Sequence, residues 1–533
     1  MRDRLPETPS IEAWLSSTLS RGDVVGLDPF LFPIGMVRRF RGAFDKAGVV
    51  LAADVHDNAV DAVWRDEQPP APCAPLVVHP LRYAGMSVGD KLARLRTAMA
   101  AADAAALVLV ACDEVMWTFN IRGGDVDCNP IALSYGVITA SEAVLYIDER
   151  KVTPEAEAHL RDNNVRVAPY SSIVVDVRAL PGRVWLDPAN ASHALLDAAG
   201  GSSRVIERMS PVQLLKAVKN DAELEGMRAA HLRDATVLTT FLAWLEAAVT
   251  RGVDLRHPGG PPIDFALTEF SVGAVLDGMR AKADGFVSLS FPTIAAWGPN
   301  GANCHYRAHA DTALPIGREG VFLLDSGGQY VDGTTDVTRT VAFGTPTAFQ
   351  REAYTAVLQG HIALSCARFP PGTSGVALDS FARAPLWARG LDYRHGTGHG
   401  VGAFLNVHEG PHGAASVQRT TYDGGVLAGM TLTDEPGYYH DGEFGIRIEN
   451  VLVARVEPSV PHAFGGRPYL GFEPITWVPI SASLVDVSQL TAAERIWLNA
   501  YNAGVRERLE PRMISEGSPA WAREYLVRET APV

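Results

Sequence analysis

The pattern of apolar and polar positions along the chain divides it into three sections, and the second is the easiest to interpret. Between about Leu76 and Ser210 a helical pattern, SVGDKLARLRTAMAAA, begins at Ser87 as a plausible N-cap. The apolar runs AALVLVAC, AVLYID and RVWLDP follow it as predicted strands. Helices that alternate with strands indicate an α/β domain. The glycines of IRGGDVD do not fit a phosphate-binding GxGxxG turn between a strand and a helix.

The other two sections differ from it. The first section ends near the proline-rich stretch EQPPAPCAP. It contains one predicted helix, PSIEAWLSSTL, and one short predicted strand, VVGLDP, which are too few elements for an independent domain. The third contains three helical patterns, starting at Asp221, Ala348 and Leu490, with runs rich in β-branched residues between them. We therefore expect an α/β and α+β multidomain chain, divided into residues 1–73, 74–211 and 212–533.

Composition excludes several classes of protein. The 533 residues are 47% hydrophobic, which favours large buried cores. A net charge of −14, from 47 basic and 61 acidic residues, argues against a nucleic-acid partner. The five cysteines are scattered without a CxxC pair, so we expect neither a disulfide framework nor a thiolate zinc site. The sequence shows neither a signal peptide nor an apolar run of membrane-spanning length, which predicts no membrane contact and a cytoplasmic location.

One short stretch concentrates histidine and glycine. HGTGHGVGAFLNVHEGP, residues 395–411, holds three histidines and five glycines. Histidine transfers protons near neutral pH and binds metals, and glycine allows close backbone approach. A loop wrapped around a catalytic centre and a flexible surface loop with incidental histidines both fit this window taken alone.

Acidic residues mark a predicted hairpin between Val321 and Gly344. Asp325 ends its first β-rich run and Asp336 begins the second, so the hairpin would bring their carboxylates close together. Aspartate is also common in turns for backbone reasons, and we assign that role to Asp332. For Asp325 and Asp336 the turn role remains the alternative.

Two glutamates follow in a second β-rich region. Glu435 stands at the end of a strand-like run that Pro436 stops, and Glu449 lies within GIRIENVLV, which we interpret as one alternating strand. Period two places Arg447 and Glu449 on the same face. A buried glutamate needs a partner, and Arg447 is one candidate; the alternative is an arginine–glutamate pair that faces solvent.

Taken together, these residues indicate a metal centre. Clustered carboxylates repel one another unless a cation lies among them. An oxygen-rich site with one imidazole suits Mn²⁺, Mg²⁺, Fe²⁺ or Co²⁺. Four carboxylates can neutralise two divalent ions, and such a pair can share a hydroxide that attacks a carbonyl.

At these residues the chain resembles a known family. DSGGQYVDGTTDVTRT, HGTGHGVGAFLNVHEGP, TDEPGYY and GIRIENV are similar to the catalytic domain of the pita-bread metallopeptidases, and most closely to the cytosolic Xaa-Pro aminopeptidases. FPTIAAWGPNGANCHY also matches, and the likeness extends through DEVMWTFNIRGGDV to about Pro9. The resemblance implies creatinase-like N-terminal domains, the first of them truncated, followed by a pita-bread catalytic domain with a C-terminal helical extension.

The resemblance also implies roles for individual residues. Asp325 would bind one metal ion, Asp336 and Glu449 would bridge both, and His399 and Glu435 would hold the second. The ions would be two divalent cations, Mn²⁺ first and Co²⁺, Fe²⁺ or Zn²⁺ as alternatives. The substrate pocket would contain His305, His395 and His408 as catalytic and substrate-binding groups, Glu435 as a general base, and Arg447 as a brace of the ligands and a substrate-binding group.

The implied reaction is hydrolysis of the N-terminal Xaa-Pro bond of peptides by a metal-bridging hydroxide. Prolidase, which cleaves only Xaa-Pro dipeptides, is the nearest alternative, and an inactive pita-bread binding protein is a third. A homodimer is a further expectation from the family. The likeness begins about midway through the first creatinase-type domain; a start upstream of Met1 and a genuinely shorter domain both explain this, and we favour the first.

Overall fold

The computed structural model describes residues 8–55, 58–251, 266–417 and 422–533. Within them, no helix has the combination of length and apolar character that crossing a bilayer requires. The α-helices are α1 (Ile11–Thr18), α2 (Ile34–Ala47), α3 (Ala59–Trp64), α4 (Leu81–Ala84), α5 (Val88–Ala101), α6 (Cys112–Thr118), α7 (Pro154–Asp162), α8 (Ile173–Ala179), α9 (His193–Ala198), α10 (Pro211–Ala217), α11 (Asp221–Arg251), α12 (Glu269–Arg280), α13 (Ala348–Ser365), α14 (Gly375–Trp387), α15 (Ala492–Ser515) and α16 (Ala520–Glu529).

The β-strands are mostly short. They are β1 (Val24–Gly26), β2 (Val50–Ala52), β3 (Val77–Val78), β4 (Ala106–Leu109), β5 (Ile121–Arg122), β6 (Ser134–Thr139), β7 (Ala143–Ile147), β8 (Val165–Pro169), β9 (Val184–Leu186), β10 (Val205–Glu207), β11 (Phe286–Leu289), β12 (Ile294–Trp297), β13 (Gly320–Ser326), β14 (Gly328–Tyr330), β15 (Gly333–Thr334), β16 (Val337–Phe343), β17 (Gly398–Gly400), β18 (Glu409–Ala414), β19 (Thr431–Asp434), β20 (Gly437–His440), β21 (Phe444–Arg447), β22 (Asn450–Val456) and β23 (Leu470–Pro474).

The chain divides into two compact units. The first comprises residues 1–80, 86–126 and 131–214, and the second comprises residues 81–85, 127–130 and 215–533. The first unit contains a six-stranded mixed sheet in the order β10-β9-β4-β6-β7-β8. The three predicted strands of this section are confirmed as β4, β7 and β9, and the Ser87 hydroxyl caps α5 by accepting a hydrogen bond from the Asp90 backbone N–H at 3.1 Å. The α/β prediction for this section is therefore confirmed.

The first 70 residues contain more structure than the sequence pattern indicated. Besides α1 and β1 they hold α2, which buries Ile34, Val37, Phe40 and Phe44, and β2, which pairs in parallel with β1. The expectation of a single helix and a single strand was wrong. The missed helix has an apolar stripe at intervals of three and four residues, but three exposed arginines between its members obscure the pattern.

The second unit places short sheets next to long helices. One sheet has the order β12-β13-β16 and another the order β19-β22-β23. Side chains of α11, including Leu238, Phe241 and Trp244, pack in one buried cluster with Phe322 of β13 and Ile446 of β21. The three helices predicted for this section are confirmed as α11, α13 and α15, each starting within two residues of the expected position. This apolar cluster supports the strand ends from which the acidic side chains project.

The register of the strands explains how distant carboxylates meet. In the predicted hairpin β13 pairs antiparallel with β16, and Asp325 lies opposite Thr338, so Asp336 stands just before the second strand at the same end of the sheet. The second region differs from the expectation of one continuous strand: β21 ends at Arg447 and β22 begins at Asn450. Alternation nevertheless persists across this break, because Ile446 and Ile448 both enter the apolar core.

Candidate active site

All nine residues singled out from the sequence line one cavity of about 540 Å³. They reach it from the ends of β13, β16, β17, β19, β21 and β22 and from the loops beside them. The set comprises His305, Asp325, Asp336, His395, His399, His408, Glu435, Arg447 and Glu449. Residues separated by up to 144 positions in the sequence thus form a single site, and the loop of residues 395–411 is one of its walls rather than a separate surface feature.

Three of the side chains converge as a candidate metal-binding group. Asp336, His399 and Glu449 each offer a ligand atom, and these atoms lie within 4.8 Å of one another. His399 Nε2 is 3.6 Å from Asp336 Oδ2 and 3.5 Å from Glu435 Oε1. The Nδ1–H of His399 donates to the carbonyl of Gly400 at 2.9 Å, which leaves the Nε2 lone pair directed at the carboxylates. This arrangement is the one expected of a metal-ligating imidazole.

Arg447 holds the fourth carboxylate in place. Its Nη2 donates to Asp325 Oδ2 at 2.5 Å, its Nη1 to the Tyr439 hydroxyl at 2.6 Å and its Nε to the Thr338 hydroxyl at 3.0 Å. The other oxygen of Asp325, Oδ1, is buried and has no hydrogen-bond partner among the described residues. A buried anionic oxygen without a donor is costly, so this atom is available for a cation.

These contacts correct one interpretation of the sequence. Arg447 and Glu449 are 2% and 1% exposed, so a solvent-facing pair is excluded. The ion pair of Arg447 is with Asp325, and Glu449 instead accepts a hydrogen bond from the Thr338 hydroxyl at 2.7 Å. The reason is that β21 lies against β13, which brings Asp325 to Arg447.

The electrostatics of the cluster favour a bound cation. Burial, and then the carboxylates of Glu449 and Asp325, raises the pKa of Asp336 well above its ordinary value. Burial, and then Glu435 and Asp325, does the same to the pKa of Glu449. Burial raises the pKa of Glu435 to about 8, with Asp325 adding to the effect and Arg447 opposing it. Divalent cations would remove this strain by neutralising the carboxylates at neutral pH.

A glycine accounts for the close packing around His399. A Cβ at Gly398 would lie 1.9 Å from the carbonyl oxygen of Thr433, which no side chain tolerates. The close approach allows β17 to lie against β19, where the backbone N–H of His399 donates to the Thr433 hydroxyl at 3.0 Å. This contact sets the imidazole beside Glu435, two residues beyond Thr433.

The remaining histidines occupy different surroundings. His395 uses both ring nitrogens: Nδ1 donates to the Gly396 carbonyl at 2.7 Å, and Nε2 lies 2.7 Å from the Tyr439 hydroxyl. Burial lowers the pKa of His395 to about 3, so the ring is neutral and Nε2 accepts from the tyrosine. His408 packs edge-on against His399 with ring centroids 4.4 Å apart. His305 is exposed and lines the same cavity, next to Cys304.

Sequence reasoning missed Tyr439 and Thr338, which link these groups. Tyr439 joins His395 to Arg447, and Thr338 joins Arg447 to Glu449. A signal for the first was present, because TDEPGYY and FGIR form the hairpin of β20 and β21 in which Gly437 pairs with Arg447. Thr338 follows Asp336 at the start of β16 and carried no signal beyond that proximity.

Behind Glu449 lies a second arginine, Arg339, which is 1% exposed. It donates to the Glu449 carbonyl at 2.6 Å, to Asn450 Oδ1 at 2.7 Å, to the Val478 carbonyl at 2.8 Å and to the Tyr501 hydroxyl at 2.8 Å. The backbone of the candidate ligand Glu449 is thereby tied to α15 near the C-terminus.

Comparison with known proteins agrees with this geometry. Residues 67–223 match the family model of the creatinase/prolidase N-terminal domain, residues 225–455 that of metallopeptidase family M24, and residues 468–533 that of the C-terminal region of peptidase M24. The fold and the site therefore define a metallopeptidase.

Individual relatives narrow the class. The chain is 43% identical to a probable Xaa-Pro aminopeptidase P of Arthroderma gypseum, over 98% of this chain and 81% of the relative. It is 38% identical to aminopeptidase P1 of Lotus japonicus, over 99% of this chain and 87% of the relative. The crystal structure of X-prolyl aminopeptidase from Caenorhabditis elegans, described as a cytosolic enzyme with a di-nuclear active site, superimposes with a TM-score of 0.92 at 35% identity, over 100% of this chain and 85% of that one. The chain belongs to the Xaa-Pro aminopeptidase P family of M24 metallopeptidases, which confirms the family and the fold predicted from the sequence.

Proposed function

We propose that this enzyme removes the N-terminal residue from peptides whose second residue is proline. The observation that carries the proposal is the convergence of four carboxylates and His399 in one cavity with three further histidines. The names of its relatives, which are aminopeptidases of Xaa-Pro specificity, favour this reaction over dipeptide-restricted prolidase activity.

The donor set fits two divalent metal ions. Four carboxylates offer enough negative charge to neutralise both, and the unpartnered Asp325 Oδ1 marks a position for a cation. We propose that Asp325 would hold one ion, that His399 and Glu435 would hold the other, and that Asp336 and Glu449 would be shared by both. Oxygen-dominated ligands favour Mn²⁺, with Co²⁺, Fe²⁺ and Zn²⁺ as alternatives. When bound, the ions would supply a Lewis acid for the scissile carbonyl and an activated water.

The protein side chains then have distinct tasks. Glu435 would accept the proton of the attacking water, because its carboxylate borders the cavity and lies 3.5 Å from His399 Nε2. The proline nitrogen has no N–H and must be protonated as it leaves. We assign that proton to His408 or His305, since both ring nitrogens of His395 are occupied. We propose that His395 acts with Arg447 to orient the substrate.

Three further features belong to the same proposal. We propose a homodimer, following the family resemblance, and a cytoplasmic location, which the description of the related nematode enzyme as cytosolic supports. We also propose the division into residues 1–73, 74–211 and 212–533, whose second boundary lies close to the division between the two compact units at residues 214 and 215. Light scattering and limited proteolysis would test the oligomer and the boundaries.

The test compares two substrates. Metal-stripped protein is reloaded with Mn²⁺ and incubated with Arg-Pro-Pro or with the dipeptide Arg-Pro, and the products are identified by mass spectrometry. Release of arginine from the tripeptide, with little from the dipeptide, is the expected result. Cleavage of the dipeptide alone would indicate prolidase, and cleavage of neither by metal-loaded protein would contradict the proposal.

A further inference from the structure

A buried glutamate anchors one wall of the cavity. Glu269, at the start of α12, is 0% exposed. Its carboxylate accepts hydrogen bonds from Trp297 N–H at 2.7 Å, Asn300 Nδ2 at 3.0 Å, the Tyr306 hydroxyl at 2.7 Å and Leu314 N–H at 2.7 Å. The segment 297–314 is therefore held at both ends and in its middle by one side chain.

This anchored segment presents an arginine to the cavity. Arg307 directly follows the anchored Tyr306 and lines the cavity together with His305 and Cys304. Its side chain is exposed, and within the described parts of the chain it forms no ion pair with any carboxylate. Because its neighbour is fixed, Arg307 is a cation held at the wall of a substrate cavity rather than an arm on a mobile loop.

The other charged groups of the cavity balance one another, so the positive charge of Arg307 is not needed for the proposed hydrolysis. The other arginine of the lining, Arg447, is buried and paired with Asp325. The four clustered carboxylates match two divalent ions. Among the described residues that line the cavity, the carboxylate outside this cluster is Asp423, which is exposed and belongs to a different segment of the wall. The unused positive charge at Arg307 is thus available to an anionic group of the substrate.

The position of Arg307 indicates which anion it would meet. Its Cα lies no more than about 7 Å from that of His305, which is two residues away. If His305 faces the leaving proline, a separation of this size lets Arg307 reach the residue that follows the proline in the substrate. In a tripeptide this is the position of the free C-terminal carboxylate, to which a guanidinium can bind in a planar, two-pronged fashion.

We propose that Arg307 is a specificity-determining residue that binds the free C-terminal carboxylate of short Xaa-Pro peptides, so that tripeptide acids are a preferred substrate class. This inference rests on the proposed function and deepens it. An exposed ion pair of this kind corresponds to a preference of about fivefold in kcat/KM.

The experiment measures kcat/KM for Ala-Pro-Ala and for its C-terminal amide with Mn²⁺-loaded full-length protein. We expect the acid to exceed the amide by about fivefold at low ionic strength, because the pair is solvent-accessible, and by less in high salt. Arg307→Ala should bring the acid-to-amide ratio close to one, and Arg307→Lys should keep part of it. Arg318→Ala removes an exposed arginine that lies four residues beyond the anchored segment and outside the cavity lining, and it should keep the wild-type ratio.

Three outcomes would overturn the inference. The first is that the wild-type protein cleaves acid and amide equally, and the second is that Arg307→Ala lowers both rates and leaves their ratio unchanged. The third is an Arg307-dependent preference for Ala-Pro-Glu amide over Ala-Pro-Ala, which would show that Arg307 binds an acidic side chain of the substrate and not the C-terminal carboxylate. Failure to cleave any of these peptides would instead refute the proposed function, so the two failures are distinguishable.

Discussion

Replacement of Arg447 tests how the site is held together. Arg447→Met removes three hydrogen bonds from a charged donor and leaves Asp325 as a buried carboxylate without its ion-pair partner. Breaking a buried pair from one side costs about 3–5 kcal/mol of stability, or a factor of roughly 10² to 4 × 10³ in the folding equilibrium constant. Without Arg447 the Asp325 carboxylate also loses the partner that holds it in position, so we expect an apparent Mn²⁺ affinity lower by about 10- to 100-fold and a larger loss in kcat/KM.

Two variants distinguish the contribution of the positive charge at position 447 from that of the arginine's hydrogen-bond geometry. Arg447→Lys keeps the charge, but one ammonium group cannot reach Asp325, Tyr439 and Thr338 together, so most of the loss should remain. Tyr439→Phe removes one of the three contacts and should cost about tenfold or less. The measurements are calorimetric Mn²⁺ titrations of metal-stripped protein and kcat/KM on Arg-Pro-Pro, with circular dichroism as the folding control. Wild-type affinity and activity in Arg447→Lys would refute the geometric argument.

The remaining predictions concern the metal cluster and the cavity wall. Asp336→Ala or Glu449→Ala should abolish activity by removing a proposed bridging carboxylate, and full turnover in either variant would contradict the ligand assignment. In metal-stripped protein Glu435 has a folded pKa of about 8, whereas in the unfolded chain its pKa is about 4.3, so the folded state holds a proton that the unfolded state has released. The thermal unfolding temperature of the metal-stripped protein should therefore decrease as the pH is raised from 7 to 8, and saturating Mn²⁺ should abolish this decrease. An unfolding temperature that does not change with pH in the metal-stripped protein would count against the prediction. Thiol reagents should inhibit partially through Cys304, faster at alkaline pH because burial raises its pKa, and Cys304→Ser should be resistant.

Part of the candidate site could be predicted from the sequence because its four carboxylates lie at or next to strand ends, whereas His399 lies within β17. Asp325 and Asp336 flank a hairpin whose β-rich runs and turn residues are visible in the sequence, and Glu435 precedes a proline that ends its strand. Strand ends are where short-range patterns are informative. Local patterns, the antiparallel register and the family resemblance were therefore enough to indicate one site.

What could not be predicted depends on contacts between distant segments. The choice of Asp325 over Glu449 as the ion-pair partner of Arg447 follows from the packing of β21 against β13, which alternation along one strand does not reveal. Glu269 receives hydrogen bonds from residues 28 to 45 positions away, and nothing around it in the sequence marks it as an anchor. Helix α2 was missed for a simpler reason, since its exposed arginines interrupt the apolar stripe.

Arg339, which binds the backbone carbonyl of Glu449, affects how segments can be exchanged between related enzymes. Arg339 is shared between a metal-site strand and the helix that contains Tyr501, so residues near the C-terminus help to hold a ligand-bearing backbone that precedes them by about 50 positions. A chimera that exchanges residues 468–533 for those of a relative inherits a foreign set of acceptors for this guanidinium. We therefore expect a chimera to fold and keep its site when the incoming segment supplies a tyrosine hydroxyl at position 501 and a backbone carbonyl at position 478, even if the rest of that segment differs in sequence.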